Sequence, residues 1–173
     1  MPGAGKTTLG RQLASHYGCV FLDLDAAIEA RAGRSIPAIF AADGEACFRQ
    51  LEADTLREIV AAPEPLILST GGGTPCFHQN MEVLLATCVT MWLDVPLAVL
   101  TARLQGSKRT ARPLLAATSS DDSSTTAAWV QETLMARQQF YAQARLRLPD
   151  ATGTLTAALA LLKAAGYQPM VSG

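Results

Sequence analysis

A glycine-rich run followed by lysine and threonine stands near the beginning of the chain and could bind phosphate. The run consists of Gly3, Ala4, Gly5, Lys6, Thr7 and Thr8. It matches most of the pattern G-x-x-x-x-G-K-[ST], in which glycines let backbone N–H groups turn inward around phosphate oxygens at a helix N-terminus. Lys6 would meet the β- and γ-phosphates of a nucleotide, and the Thr7 hydroxyl would be a ligand of Mg²⁺. The alternative is a helix that merely begins after a turn.

Two aspartates could supply acid–base and metal chemistry. The apolar run from Cys19 predicts a strand buried on both faces, with Asp23 and Asp25 at its carboxyl end. Because they are two residues apart, these side chains would share a face of the strand near the crevice at the sheet's carboxyl edge. In phosphoryl transfer one carboxylate can hold Mg²⁺, while another orients and deprotonates the acceptor hydroxyl. A pair of turn or helix-cap aspartates is the alternative.

A second set of candidates could grip an anionic or polar ligand. Gly71, Gly72 and Gly73 follow a predicted strand at 66–70, where glycine allows close backbone approach and leaves N–H groups for a ligand. A plain flexible turn would explain the same glycines. Three arginines stand in the settings F-R-x-x-E, R-P-L-L and R-x-x-x-Y, namely Arg49, Arg112 and Arg137. A guanidinium can hold a carboxylate or phosphate through two bonds, although most arginines are simply solvated.

Alternating helices and strands must position these residues. Apolar periodicity, caps and breakers predict helices at 7–17, 45–61, 81–86, 96–104, 129–147 and 155–165. Ser35 is predicted to cap a further helix that is interrupted near residues 43–44. Buried strands are predicted at 19–25, 66–70 and 89–93, with a short strand ending near Leu148. The polar stretch 106–126 is typical of a functional lid or a disordered loop.

Length and composition restrict the class of protein. The 173 residues suit one domain, 1–173, and 49% hydrophobic with 17% charged residues favours a packed fold. A net charge of -1 offers no overall positive field for nucleic acid. No apolar stretch reaches the length of a membrane span, and no secretory signal is evident, so a cytoplasmic location is expected. The scattered cysteines and two histidines predict neither a zinc site nor disulfides.

Taken in order, these motifs resemble the shikimate kinase family. The matching segments are G-A-G-K-T-T-L-G at 3–10, F-L-D-L-D at 21–25, G-R-S-I-x-x-I-F at 33–40, F-R-x-x-E at 48–52, S-T-G-G-G at 69–73, R-P-L-L at 112–115 and R-x-x-x-Y at 137–141. The resemblance extends from Gly3 to about Asp150. It implies a three-layer α/β fold like that of nucleoside monophosphate kinases, with a five-stranded parallel sheet, a substrate-binding segment at about 26–61 and a lid at about 106–126.

The resemblance also implies an activity and a role for each candidate. The reaction would be ATP-dependent phosphorylation of the 3-hydroxyl of shikimate, in aromatic amino-acid biosynthesis, with Mg²⁺. The sequence shows no obvious association motif, so a monomer is expected. The phosphate loop would bind ATP, Thr7 and Asp23 would serve the metal, and Asp25 would be the base. The shikimate carboxylate would lie between Arg49 and Arg137, against Gly71–Gly73. Two further arginines would serve ATP, Arg112 by swinging in with the lid and Arg103 near the adenine.

The beginning of the chain departs from this family pattern. The family has a strand before the phosphate loop, in the middle of the sheet, and neither that strand nor the first glycine of the loop is present. We therefore expect the natural chain to extend upstream of Met1. Two other functions remain open on the residues alone. One is a different small-molecule kinase with a phosphate loop, such as a gluconate-type or nucleotide kinase, and the other is a non-catalytic nucleotide-binding protein.

Overall fold

A computed structural model describes residues 1–106, 123–149 and 155–167. Helices and parallel strands alternate along the chain, as the sequence predicts. The strands are β1 (Val20–Asp23), β2 (Leu66–Ser69), β3 (Met91–Asp94) and β4 (Leu146–Pro149). The helices are α1 (Lys6–Tyr17), α2 (Leu24–Ala32), α3 (Ile36–Ala61), α4 (Asn80–Thr87), α5 (Leu97–Gln105), α6 (Ser123–Tyr141) and α7 (Leu155–Ala164). A short 3₁₀ turn covers Thr74–Cys76.

The four strands form two separate sheets of two strands each. β1 pairs in parallel with β2, with Val20 opposite Leu66, and β3 pairs in parallel with β4, with Met91 opposite Leu146. Within the described ranges no strand joins β2 to β3. The parallel α/β class is therefore confirmed, while the single five-stranded sheet implied by the resemblance is not seen in this part of the chain.

The first helix is bounded by two glycines. Gly5 precedes α1 with φ of 88°, and Gly18 follows it with φ of 66°, both in the left-handed region that favours glycine. Gly10 also brings α1 close to β1, since a β-carbon there would lie only 2.6 Å from the Phe21 ring. The predicted helix at 7–17 is thus confirmed, and its beginning is placed at the lysine of the phosphate loop.

The prediction that Asp23 and Asp25 share a face of one strand is wrong. β1 ends at Asp23, whose side chain caps α2 by accepting the backbone N–H of Asp25 at 3.1 Å. A carboxylate at a helix N-terminus satisfies an otherwise unpaired donor, and here that interaction ends the strand two residues early. β1 is also not fully buried, because Val20 is 61% exposed and the other three residues of the strand are only half-buried.

The long third helix has the cap and the break that the sequence predicts. Ser35 caps α3 by accepting the N–H of Ala38, and Gly44 interrupts the helix with φ of 79°. Beyond the break, α3 buries Phe48, Arg49, Glu52, Ala53, Thr55 and Leu56. This buried face thus carries a positive and a negative side chain among apolar ones.

The prediction of a helix at 129–147 is wrong at both ends. α6 begins at Ser123 and stops at Tyr141, and the residues from Leu146 form β4 because they pair with β3. Of the expected lid at 106–126, residues 123–126 belong to α6, and residues 107–122 lie outside the described ranges. Arg112 is among these and is therefore not placed.

Two apolar cores stabilise the described parts of the fold. One lies among α2, α3 and α4 and contains Leu24, Ile28, Ile39 and Leu56, all fully buried. The other lies among α1, α5, α6, α7, β3 and β4. Among the described helices, none is long and apolar enough to cross a membrane.

Candidate active site

The phosphate loop, residues 3–8, has a backbone that only glycine adopts easily. Gly3 and Gly5 have φ of 76° and 88°, in the left-handed region. Gly5 is the cap residue of α1 and has no side chain to accept a hydrogen bond from the first-turn N–H groups, and that turn holds no acidic residue. These donors and the positive end of the helix dipole suit an anion such as phosphate.

Positive groups converge beside the phosphate loop. The Lys6 ammonium donates a hydrogen bond to the Met1 carbonyl at 2.8 Å. Met1 itself is buried, and this burial, together with the nearby charges of Lys6 and Arg137, holds the pKa of its α-amino group well below the ordinary 8.0. The positive potential of this region would favour a polyanionic ligand.

Thr7 and Asp23 meet at the carboxyl end of β1. The Thr7 hydroxyl donates to Oδ2 of Asp23 at 3.2 Å, while Oδ1 of the same carboxylate accepts the N–H of Asp25. This hydroxyl and carboxylate fit Mg²⁺, which takes oxygen ligands and fills its shell with waters and phosphate oxygens. No group of three or more His, Cys, Asp or Glu side chains suited to a metal occurs in the described part of the chain. A site with few protein ligands therefore suits the donors present.

Asp25 lies in the first turn of α2, and its Oδ1 would be 3.1 Å from a β-carbon at Gly71. The residue remains accessible to solvent, although neighbouring residues remove part of the hydration of its carboxylate. This partial desolvation raises the pKa of Asp25 above the ordinary 3.8. The negative charges of Asp23 and Glu52 raise the pKa further, and Lys6 opposes them. A carboxylate with a raised pKa is a better proton acceptor, as general-base chemistry requires.

The glycine run, Gly71–Gly73, brings three charged side chains against one stretch of backbone. A β-carbon at Gly71 would lie 3.1 Å from Oδ1 of Asp25, and one at Gly72 would lie 3.1 Å from Nη1 of Arg137. At Gly73 the β-carbon would lie 3.0 Å from Nη2 of Arg49. A larger residue would displace one of these groups by a few tenths of an ångström, so the glycines allow the three charged groups to approach the backbone closely.

Arg49 is only 6% exposed, and its guanidinium contacts several neighbouring side chains. It donates to Oε2 of Glu52 at 2.8 Å and to Oε1 of Glu45 at 3.2 Å, and its guanidinium lies 4.1 Å from the Phe77 ring centre. Glu52 is 1% exposed, and its other oxygen accepts the Thr74 hydroxyl at 2.6 Å. Because of these contacts the buried Arg49 guanidinium keeps a fixed orientation, which suits recognition of a carboxylate.

Tyr141 connects α6 to the glycine run through a hydrogen bond. Its hydroxyl donates to the Gly72 carbonyl at 2.6 Å. Burial raises the pKa of Tyr141 to about 12, although the charge of Arg137 and a hydrogen bond from it act in the opposite direction. The phenol therefore stays protonated across the physiological range and keeps Gly72 beside Arg137.

Arg103 reaches the phosphate loop from α5. Its guanidinium donates to the Gly3 carbonyl at 3.0 Å and would lie 3.8 Å from a β-carbon at Gly5. The structure thus places Arg103 against the loop, while its expected position near an adenine stays a prediction.

Sequence analysis assigned no role to three residues that shape this site, Glu52, Thr74 and Tyr141, although Glu52 and Tyr141 stand in the motifs F-R-x-x-E and R-x-x-x-Y. The first had a readable signal, since Arg49 and Glu52 are three apart on a helix and opposite charges at that spacing pair. Tyr141 is four residues after Arg137, again on one helix face. Nothing in the sequence pointed to Thr74, because its role depends on the turn that follows the glycine run.

Comparison with known proteins gives one consistent family. A family model described as shikimate kinase matches residues 2–163. A curated shikimate kinase of Parabacteroides distasonis is 42% identical over 154 residues, which cover 89% of this chain and 86% of the relative. The crystal structure of a shikimate kinase from Bacteroides thetaiotaomicron superposes with a TM-score of 0.86 at 34% identity, covering 96% of this chain and 94% of that one. A shikimate kinase of Acinetobacter baumannii, solved in complex with shikimate, has a TM-score of 0.80 at 31% identity, covering 95% and 88%.

Proposed function

The chain belongs to the shikimate kinase family, and we propose that it transfers the γ-phosphoryl group of ATP to the 3-hydroxyl of shikimate. The observation that carries this proposal is the meeting of Asp25, Arg137 and Arg49 along the glycine run. Shikimate has one carboxylate and several hydroxyls. Two guanidinium groups and one carboxylate on a close-packed backbone are complementary to it.

Arg49 and Arg137 hold the shikimate carboxylate in this proposal. Arg49 is oriented by Glu52 and Phe77, and Arg137 is oriented by Tyr141. Because both side chains are positioned before the substrate arrives, little conformational entropy is lost on binding. The backbone of Gly71–Gly73 forms the surface on which the ring lies.

ATP occupies the phosphate loop on the other side of the cleft. The N–H groups at the beginning of α1 and the Lys6 ammonium meet its phosphates, so Lys6 exchanges its hydrogen bond to Met1 for phosphate oxygens. Arg103 lies beside the loop, and in this proposal the adenine base extends toward it. Arg112, which lies outside the described residues, would serve ATP as the family resemblance implies.

Mg²⁺ would be held by Thr7, directly, and by Asp23, directly or through water. When bound, it neutralises negative charge on the β- and γ-phosphate oxygens. Asp25 remains separate from this pair, since it lies against Gly71 on the substrate side.

Asp25 accepts the proton of the 3-hydroxyl. The hydroxyl oxygen then bonds to the γ-phosphorus while the bond from that phosphorus to the bridging oxygen breaks, and ADP leaves. Phosphoryl transfer needs little covalent help from a protein, and positioning and charge stabilisation dominate. Lys6 stabilises the charge that develops on the transferred group, and Asp25 orients the attacking oxygen.

Measurement of ADP release tests this function directly. With ATP and Mg²⁺ present, we expect release that depends on shikimate and does not occur with gluconate or a nucleoside monophosphate. Arg49→Met should raise the KM for shikimate much more than the KM for ATP, because Arg49 lies on the substrate side. Turnover with gluconate or a nucleotide in place of shikimate would contradict the proposal. ATP binding without turnover on any of these acceptors would indicate a nucleotide-binding protein instead.

A further inference from the structure

We propose that Asn80 is a positioning residue for recognition of the shikimate carboxylate. It fixes Thr74, which holds Glu52, and that glutamate in turn orients Arg49. Asn80 therefore acts through other side chains and is not itself a binding group. The proposal rests on the proposed function, since it concerns how Arg49 is directed toward the substrate.

The amide of Asn80 is fully buried and forms hydrogen bonds to groups outside its own helix. The residue is 0% exposed. Its Nδ2 donates to the Thr74 carbonyl at 3.0 Å, and its Oδ1 accepts a hydrogen bond from Nη1 of Arg57 at 3.2 Å. An asparagine side chain carries both a donor and an acceptor, and both are used here. A side chain lacking either one would leave a polar group at this buried place without its partner, which is costly.

Thr74 transmits this constraint to Arg49. Its hydroxyl donates to Oε1 of Glu52 at 2.6 Å, and Oε2 of that glutamate accepts a hydrogen bond from Arg49 at 2.8 Å. Thr74 belongs to a 3₁₀ turn of only three residues, which has few backbone hydrogen bonds of its own. When the Thr74 carbonyl loses the amide of Asn80, the turn can shift and the hydroxyl shifts with it. Glu52 then no longer holds Arg49 in one orientation.

Arg57 returns this series of hydrogen bonds to α3. In addition to its bond with Asn80, its Nη1 donates to the Ala53 carbonyl at 3.0 Å. Ala53 lies on α3 beside Glu52, so the series begins and ends on the helix that carries Arg49. A closed series of this kind fixes the 3₁₀ turn relative to α3, and a small displacement of a binding group can have a large effect on a reaction.

The backbone next to Asn80 is strained in a way that agrees with a positioning role. His78 and Gln79 have φ of 49° and 57°, in the left-handed region that residues with a β-carbon rarely adopt. Such strain persists only where the surrounding structure enforces it, and it is concentrated at functional sites. Here Nη2 of Arg57 donates to the His78 carbonyl at 2.7 Å. The strained turn thus directs Asn80 toward Thr74.

Asn80→Asp tests the proposal, because it keeps the size of the side chain and the acceptor for Arg57 but removes the donor to Thr74. We expect the KM for shikimate to rise about tenfold, while kcat and the KM for ATP change by less than about twofold. The matched control is Arg145→Met, which loses a 2.6 Å hydrogen bond to the Leu85 carbonyl on the same helix, α4. That variant should leave all three kinetic constants unchanged.

The same substitution made together with Arg49→Met separates positioning from a merely structural role. If Asn80 acts only through Arg49, Asn80→Asp should change the KM for shikimate by less than about twofold once Arg49 is absent. An equal rise in both backgrounds would overturn the proposal. A parallel rise in the KM for ATP would also overturn it, because the loss would then affect the whole cleft.

Arg57→Met is the second variant and applies if Asn80→Asp does not fold. Arg57 is half-buried and lies one step further from Arg49, so its loss disturbs the core less. We expect the KM for shikimate to rise about threefold, again without a change in the KM for ATP. An unchanged KM for shikimate in the folded variant would overturn the proposal.

A measurement without substrate distinguishes failure of this proposal from failure of the proposed function. The guanidinium protons of Arg49 are followed by NMR with isotope-labelled arginine and are assigned by their loss in Arg49→Met. We expect Asn80→Asp to speed their exchange with water by on the order of tenfold, and Arg145→Met to leave it unchanged. Unchanged exchange in Asn80→Asp would overturn the positioning role even if the protein phosphorylates shikimate. Faster exchange in a protein without that activity would support the positioning of Arg49 and refute only the proposed function.

Discussion

The two sides of the cleft are built by different means. On the side proposed to bind shikimate, Arg49 and Glu52 are almost wholly buried and are held by each other and by Thr74. On the side proposed to bind ATP, the phosphate loop depends on glycine backbone conformations, and Arg103 contacts it from an exposed position. Buried, paired side-chain charges therefore build one half of the candidate site, whereas backbone donors and the Lys6 ammonium build the other.

This difference has an energetic reason. A planar carboxylate and a set of ring hydroxyls are distinguished from similar molecules by directed side chains, which must be fixed in advance. Phosphates are bound by the N–H groups and the helix dipole at the beginning of α1, together with the Lys6 ammonium. Substitutions of the buried pair on the substrate side should thus affect both stability and shikimate binding, whereas loss of the exposed Arg103 on the nucleotide side should have a smaller and more local effect.

Asp25→Asn should have the largest effect on activity. Loss of a general base lowers kcat by about 10²–10⁴-fold, while the affinity for ATP stays nearly unchanged because Asp25 lies against Gly71. Steady-state ADP release and equilibrium ATP binding measure the two quantities. Retained turnover would remove Asp25 from the catalytic role.

The same substitution should stabilise the protein at neutral pH. The pKa of Asp25 is raised in the folded state, so the unfolded chain binds fewer protons over the window from about pH 4 upward. Ionisation of Asp25 consequently lowers stability as pH rises through the folded-state pKa, and asparagine avoids this loss. Thermal unfolding of both proteins at pH 7 tests the sign. A lower midpoint for Asp25→Asn would show that its carboxylate stabilises the fold.

Glu52→Gln should have the largest effect on stability. Removing one partner of the buried pair leaves the Arg49 charge without its buried counter-charge and should lower the free energy of unfolding by about 3 kcal/mol. The matched control is Glu45→Gln, since Glu45 also contacts Arg49 but its side chain is 56% exposed. That variant should cost at most about 1 kcal/mol. Equal decreases in the free energy of unfolding, measured with urea, would show that burial does not determine how much each glutamate contributes to stability.

Tyr141→Phe should have a moderate effect confined to shikimate. The phenol donates to the Gly72 carbonyl at 2.6 Å, and loss of one such bond corresponds to about 1 kcal/mol, or roughly fivefold in kcat/KM for shikimate. The KM for ATP should not change. A matching rise in the KM for ATP would mean that the two sides of the cleft are not independent.

The decrease of kcat/KM for shikimate at acid pH should have a midpoint above the ordinary pKa of an aspartate. As pH falls, Asp25 takes up a proton and kcat/KM for shikimate decreases, with a midpoint above 3.8 because partial desolvation, Asp23 and Glu52 raise its pKa. Arg103→Met on the nucleotide side should leave this midpoint in place. A midpoint at or below 3.8 would assign this decrease to another group.

Arg103→Met should have the smallest effect. The side chain is exposed and makes one hydrogen bond to the phosphate loop, so its loss should raise the KM for ATP by about two- to fivefold and leave shikimate binding unchanged. Initial rates at varied ATP measure this. A tenfold or larger change would show that side-chain charge matters on the nucleotide side as well.

The local chemistry of this protein could be predicted from its sequence alone. The phosphate loop, the cap at Ser35, the break at Gly44 and the glycine run each depend on residue type over a few positions, and local backbone sterics determine them. The family resemblance depended on the same short motifs and their order, and the comparisons confirm it.

Only the tertiary structure decided which residues meet. The end of β1 at Asp23 depends on a cap competing with strand pairing, and the end of α6 at Tyr141 depends on β4 pairing with β3. Glu52 holds Arg49 and is itself held by Thr74, and Asp25, Arg137 and Arg49 approach consecutive glycines. These contacts join segments that are far apart in sequence. Such contacts depend on how the elements pack, and neither residue type nor spacing along one segment encodes them.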